Sequence, residues 1–502
     1  MSPRARFALG SLLLVVACGP GGAGQRDGAV DADADATDAD AIDAASTTID
    51  AAPMPIDAPP ASCTPTVTPA ALVVGLAGRP ARVWDHASRA EPNNVTDARP
   101  TPYRTADGRA HLMLTHFENY RISGADLDSL APTPQSTYRS SDHAALDQAS
   151  YGYHQWIMAP YSDDGTHFFA LAHSEWYGCL PYGADPVRGC AVGQNQIASW
   201  VNGVTLFGSD DGGATWAPRG AGPAHVVLAP PPPYPGWSYW TAPSPLNFGM
   251  FHPSNIVKAD GAYYALIRYT HRVGSGAVDA AGLVLARTTD LARADGWQVW
   301  TGGATFAAPT EPLISLPGSA SWDHASVTFN TALCRYLIVY FDYADRQLYY
   351  TTTASLAAPA LDPPRPLAGQ EYVLATPGAV APGFGAANYA HLVDPAWPGF
   401  NFEGSGAAPY LYFGTFDPAR PIDRDVYRAP LVVSAGPYVP VPLPEGLFMI
   451  GDGIYYANAA SAYCVFPDWA TYVRITGRTD VVGVPRYGSV PSSMTNHGVC
   501  QG

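Results

Sequence analysis

The chain has 502 residues, 47% hydrophobic and 12% aromatic against 14% charged, with 49 glycines and 49 prolines. That supplies a large core and many turns, and excludes bulk disorder and long helical architectures. A formal charge of −16 argues against nucleic acid and anionic lipid surfaces as partners, and Lys258 as the sole lysine, with no Gly-Lys pair anywhere, excludes a phosphate-cradling P-loop.

Arg4 and Arg6 precede the apolar run Phe7 to Val16, the pattern of an export signal. Val15-Val16-Ala17-Cys18 resembles a bacterial lipobox, which makes residues 1–18 the signal and lipobox and implies that Cys18 is lipidated and becomes the mature N-terminus; an ordinary signal peptide cut after Ala17 is the plainer alternative. Gly19 in place of an acidic residue resembles lipoproteins of the outer membrane, so the expected location is the outer membrane or surface of a Gram-negative cell. The run is too short to span a bilayer, leaving the lipid as the only expected membrane contact. Residues 19–62 alternate Asp with Ala and end in Pro; self-repelling charge and few large apolar side chains read as an extended, solvated tether.

Export permits disulfides. Cys179 and Cys190 flank a short loop and are expected to close it, Cys464 and Cys500 to tie the last forty residues together, while Cys63 and Cys334 are left over with their pairing open. No Cys/His set has zinc spacing and no His-Glu-x-x-His occurs, so neither metal nor cofactor is expected.

From 63 to 443 the chain repeats a coarse unit in which an apolar strand starts near polar residues and two or three further strands follow. The units contain HLMLTHF; QWIMAPY with HFFALAHSEWY and VTLFGSDDGGATW; FHPSNIVKADGAYYALIRY with LVLARTTDLARADGWQVW; DHASVTFNTALCRYLIVYFD with RQLYYTTTASL; and NYAHLVDP with APYLYFGTF and DVYRAPLVV. Five units of about four strands describe an all-β, five-bladed β-propeller. Residues 444–502 change pattern: an aromatic cluster, a helix near Asp468 to Thr476 and a disulfide predict a small C-terminal stabilised appendage.

Ser209-Asp210-Asp211-Gly212-Gly213-Ala214-Thr215-Trp216 resembles the Asp box of sialidase-like propellers, where Asp211 would accept turn amides and Trp216 would pack beneath. Arg287-Thr288-Thr289-Asp290-Leu291 with Trp297, and Tyr349-Tyr350-Thr351-Thr352-Thr353, resemble outer strands of five-bladed glycosidases such as arabinanases, xylosidases and invertases. The resemblance spans roughly 97 to 433. It implies three carboxylates around the propeller axis, one ionised and one protonated at the same pH. The invertase-type motifs and a recognisable sialidase arginine triad are absent.

In a propeller the starts of inner strands and the ends of second strands converge. Those places offer Asp97 as base or nucleophile, Glu175 as general acid kept protonated by desolvation, and Asp323 as the tuning carboxylate. Arg99, His173, Trp176, His252, Asn255, Arg268, His324 and His391 are the candidate sugar-binding groups. Each has a structural alternative: Asp97 a turn residue, Glu175 a salt bridge, Asp323 a strand cap, the histidines buried donors. Trp237, Tyr239 and Trp240 lie in a Pro-rich loop that either overhangs the pocket as a stacking platform or only crosses between blades.

Two functions fit: a surface-tethered glycoside hydrolase acting on a poly- or oligosaccharide, or a non-catalytic propeller lipoprotein binding glycan or protein. A monomer is expected in either case. Cys18→Ala should release the protein from its membrane fraction; a variant that stays bound after a salt wash contradicts the anchor.

Overall fold

The computed structural model describes residues 63–502 apart from 87–95, 117, 132–133, 141–147, 153, 178–199, 231–247, 274–276, 371–372, 374–379, 382–384, 387–388, 418–419, 441–445, 458–461, 482–483, 485, 488, 492–493 and 501–502. Cys18, the tether, the Cys179–Cys190 pairing and the loop of Trp237, Tyr239 and Trp240 lie outside the described residues.

The molecule is all-β, built from antiparallel meanders that follow one another along the chain. The first sheet comprises Thr101–Arg104, Ala110–Thr115, Glu118–Gly124 and Gln135–Arg139. A second meander, His154–Tyr161, Phe168–Tyr177 and Trp200–Ser209, touches a third, which is centred on Ala262–Val273 and Ala277–Thr288, through one parallel step at Gly249 and Asn202. A fourth sheet runs Trp322–Asn330, Arg335–Asp342 and Gln347–Thr353. In the fifth, His391–Val393 and Tyr410–Asp417 precede the long strand Arg420–Ala435.

That last strand pairs with Leu72–Leu76 from the beginning of the fold, Leu72 opposite Ala435 and Leu76 opposite Leu431. Sequence reading places the first strand after Asp97 and misses this one, because Leu-Val-Val-Gly-Leu is a short apolar run whose partner is some 350 residues away. The Cys63–Cys334 disulfide, with Cα atoms 5.6 Å apart, fastens the same end of the chain to the fourth sheet and settles the pairing left open.

Continuous burial of both faces explains the apolar runs. Every residue of Trp322–Asn330 is buried, and the core clusters join neighbouring sheets: Val257, Tyr264 and Leu285 pack with Trp322, Val327 and Ile338, while Val74 and Leu76 pack with Leu337, Leu411 and Leu431.

The Ser209 to Trp216 turn is held from within. Asp211 accepts from the Thr215 amide at 2.9 Å and its hydroxyl at 2.6 Å. Trp216 Nε1 donates to the Gly213 carbonyl at 3.1 Å. Gly213 has φ +77°, and a Cβ there would meet the Tyr103 hydroxyl at 2.4 Å, so only glycine fits.

Side chains link the inner segments around the middle of the fold. Thr101 of the first sheet donates to the Met158 carbonyl of the second at 2.7 Å. Asn255 bridges to the fourth, Nδ2 donating to the Val327 carbonyl at 2.6 Å and Oδ1 accepting the Val327 amide at 3.0 Å. Ser326 accepts the Leu392 amide of the fifth at 3.0 Å, and His391 Nδ1 donates to the Pro100 carbonyl at 3.0 Å, returning to the first. These bonds do between sheets what ladders do within them.

At the C-terminus, Gly446–Ile450, Gly453–Ala457 and Ala462–Val465 form a separate sheet. The helix Trp469–Thr476 is capped by Asp468, which accepts the Thr471 amide, and ended by Gly477 at φ +71°, a sequence-readable start and stop. The Cys464–Cys500 disulfide is present. No helix among the described residues is long and apolar enough to cross a membrane.

Asn255→Ala would leave a buried amide and a buried carbonyl of Val327 without partners, at about 1–3 kcal/mol each. Denaturant unfolding should therefore show a loss of about 3 kcal/mol; a loss below about 1 kcal/mol would show that the bridge between the third and fourth sheets is dispensable.

Candidate functional site

Polar and aromatic residues gather where the inner segments begin. Glu175 and His173 lie two apart on one strand and so share a face. Across the ladder stand His154 opposite Glu175 and Trp156 opposite His173. His154 Nδ1 is 3.3 Å from Glu175 Oε2 and His173 Nε2 is 3.9 Å from Oε1. His173 stacks on Trp156 with centroids 5.1 Å apart, and its Nε2 is 2.7 Å from Asn202 Oδ1.

From His173 the contacts continue to His252 at 5.2 Å, from His252 to His324 at 4.3 Å, and from His324 to Tyr389 at 4.5 Å. Tyr389 donates its hydroxyl to Asp97 Oδ1 at 2.6 Å. His116, at 3.8 Å from Asp97 Oδ2, lies edge-on to Trp156 and completes the circuit. Asp97 is also ion-paired with Arg424, whose guanidinium lies over the Tyr389 ring. Asp323 accepts the His324 amide at 2.7 Å and lies 3.0 Å from His252 Nδ1.

Three of these residues have left-handed backbone: His252 at φ +51°, His324 at +50° and Tyr389 at +65°. None is glycine or asparagine, so each costs of order 1 kcal/mol or more, a pattern that concentrates at functional sites.

Burial dominates the electrostatics. It drives His154, His173 and His324 down to about 3, so all three are neutral at pH 7. Burial pushes the Tyr389 hydroxyl well above its ordinary value, with Tyr343, Asp323 and Glu175 adding to the shift, which leaves it a donor. Burial also works against ionisation of Asp323, but His324, His252 and Arg268 outweigh it and hold the carboxyl well below its usual range.

The candidate residues divide sharply. Asp97, Glu175, Asp323, His173, His252 and His324 come together. Arg99 does not join them: it is buried with its terminal nitrogens donating to the Ala325 and Pro253 carbonyls, and the arginine beside Asp97 is Arg424. Trp176 packs with Tyr151, Val201 and Phe248, because adjacent residues of a strand face opposite sides and Glu175 is on the side of His154 and His173. Asn255 and His391 are spent on the bridges described above, and Arg268 donates to the Ala320 and Trp322 carbonyls, each at 2.9 Å. His154, Trp156, Tyr389 and Arg424 were not among the candidates. The ladder opposite Glu175 and His173 could have supplied the first two; Arg424 carries no local signal.

The arrangement offers carboxylates in unlike settings, one against a cation and a phenol, one against neutral imidazoles, one within a histidine pair. That is the requirement for acid and base to coexist.

No family model matches the chain, and no curated protein matches it. Among solved structures it is similar to the catalytic domain of a GH62 α-L-arabinofuranosidase from Coprinopsis cinerea, at 13% identity and TM-score 0.38 over 74% of this chain and 100% of that one. It is likewise similar to an α-L-arabinofuranosidase from Podospora anserina in complex with cellotriose, at 11% identity and TM-score 0.38 over 74% and 98%. A family 117 glycoside hydrolase from Zobellia galactanivorans matches at 8% identity and TM-score 0.41 over 75% and 96%.

Neutral buried histidines make stability fall with acid. His173, His324 and His391 sit at about 3 in the fold and near 6.5 unfolded. Between those values the unfolded chain takes up protons the folded one refuses, costing about 1.4 kcal/mol per pH unit for each histidine. Asp323, depressed in the fold, adds a loss in the same direction only below about pH 4. Melting temperature should hold above pH 7 and drop steeply from 6.5 to 4.5, with a shallower slope in His391→Gln; a flat profile contradicts the burial of neutral rings.

Proposed function

We propose that the protein is a glycoside hydrolase acting on a poly- or oligosaccharide, built on a five-bladed β-propeller whose blades are the five successive meanders, the last closed by the Leu72–Leu76 strand. The Ser209–Trp216 turn is its Asp box. The observation that carries the reading is the chain of contacts that links three carboxylates: Tyr389 bonds to Asp97 and meets His324, His252 lies against His324 and beside Asp323, and His173 leads from His252 to Glu175.

Asp97, facing Arg424 and the Tyr389 hydroxyl, is suited to remain ionised and to serve as base or nucleophile. Glu175, bordered by His154 and His173, donates its proton to the leaving oxygen. Asp323 adjusts the field around both. His173 supplies a hydrogen bond to a sugar hydroxyl. In the cell, Cys18 holds the protein by lipid at the surface and residues 19–62 act as the tether. The chain works as a monomer, without nucleic acid.

A non-catalytic glycan-binding reading draws on the close pairing of Asp97 with Arg424, which leaves that carboxylate already satisfied. Substitution separates the two. Glu175→Gln keeps shape and removes the transferable proton, and Asp97→Asn removes the charge. On a glycan found by screening, each should lower turnover by about 10² or more with substrate affinity largely kept. If both variants hydrolyse as the parent does, these are not the acid and base. A parent that binds glycans and cleaves none is a binder.

A further inference from the structure

We propose that His252, Asp323 and His324 bind one divalent cation of the zinc class. Their ligand atoms all lie within 4.8 Å of one another, yet the set is invisible to spacing along the chain because His252 sits on a different sheet from the other two. The proposal is independent of the hydrolase reading.

The first support is an orphaned lone pair. His324 is 3% exposed, and its Nδ1 is buried with no hydrogen-bond partner. Its other nitrogen, Nε2, lies 3.3 Å from the Tyr343 hydroxyl. A proton on Nε2 donated to Tyr343 leaves Nδ1 as a bare acceptor turned toward Asp323, whose Oδ1 is 4.0 Å away. Metal-bound histidines commonly use one nitrogen on the ion and give the other N–H to an oxygen.

The second is spacing. His252 Nδ1 is 3.0 Å from the same Asp323 oxygen. Ligands at about 2.0–2.1 Å from a tetrahedral zinc stand about 3.3 Å apart, and 3.0 and 4.0 Å bracket that value. Small rotations of two rings would close the site.

The third is how the rings are delivered. Both histidines stand on left-handed backbone at the start of inner segments, and the residue after each, Pro253 and Ala325, is fixed by the Arg99 guanidinium.

Two imidazoles and one carboxylate favour zinc and its neighbours over calcium, which prefers six to eight oxygens. Three protein ligands leave a position open to a water or a hydroxyl-bearing ligand, as in catalytic rather than structural zinc sites. The cluster of Asp85, His86 and Asp425 differs: Arg82 lies 2.9 Å from Asp85 and 3.5 Å from Asp425, so a cation already serves it.

The test uses tag-free, full-length protein stripped with chelator. Cobalt(II) should titrate with visible d–d absorption at one equivalent, be displaced by zinc and be unaffected by excess calcium. His252→Asn and His324→Asn, chosen because asparagine tolerates the left-handed backbone, should abolish the signal, whereas His167→Asn, at an exposed histidine, should keep it. X-ray absorption of the zinc-loaded parent, which needs no variant, should count two imidazoles. No stoichiometric cobalt signal, a signal indifferent to both substitutions, calcium competition, or an imidazole count other than two would each overturn the site.

Discussion

A buried guanidinium holds the middle of this molecule together. Arg99 is 1% exposed, and burial lowers it to about 9 while the charge of Asp323 works the other way. It therefore remains a cation at neutral pH, and the low-polarity surroundings that make it costly also strengthen its bonds to the Pro253 and Ala325 carbonyls. Those two residues follow His252 and His324 directly. One side chain from the first sheet thus pins the turns that present two histidines from the third and fourth, and Asp97, two residues ahead of it, is placed by the same anchor.

The site that results is crowded with buried histidines that resist protonation and a buried carboxylate that its cationic and hydrogen-bonding neighbours keep ionised. Left-handed backbone at His252, His324 and Tyr389 adds conformational cost to desolvation. Neither cost is relieved locally; both are offset by the bridges of Asn255, Ser326, His391 and Thr101 between neighbouring sheets. A rigid frame of this kind suits groups that must keep unlike protonation states side by side, because relaxation of the surroundings would let them equalise.

How much of this was legible in the sequence follows from what each signal measures. Apolar runs with polar ends located the strands and brought out Asp97, His173, Glu175, His252, Asp323 and His324, because an ionisable group just beyond a buried strand has few other places to go. The same reasoning overreached at Trp176, where strand alternation puts the ring on the opposite face from Glu175. It missed Tyr389 in favour of His391, because His391 is already in the strand and turns inward to the Pro100 carbonyl while Tyr389 precedes it on left-handed backbone. Arg99, two residues from Asp97, turns away into the interior, while Arg424, 327 residues distant in the chain, reaches that carboxylate; only the folded chain brings it there. The Leu72–Leu76 strand and the Cys63–Cys334 disulfide depend on contacts between distant parts of the chain, which no local pattern carries.

The pairing of the first strand with the last sheet also bears on the site. Arg424 belongs to the long strand Arg420–Ala435, whose far end is paired with Leu72–Leu76, so the cation opposite Asp97 is held in register by the first strand of the fold. The strand Trp322–Asn330 begins with Asp323 and His324 at the site and runs to the turn that ends in Cys334. Six residues at about 3.3 Å each separate His324 from Asn330, about 20 Å. The disulfide to Cys63 therefore fastens the N-terminal end of the described chain on the side remote from the histidines. The disulfide and the fourth-sheet turn thus stand at the opposite end of that strand from Asp323 and His324.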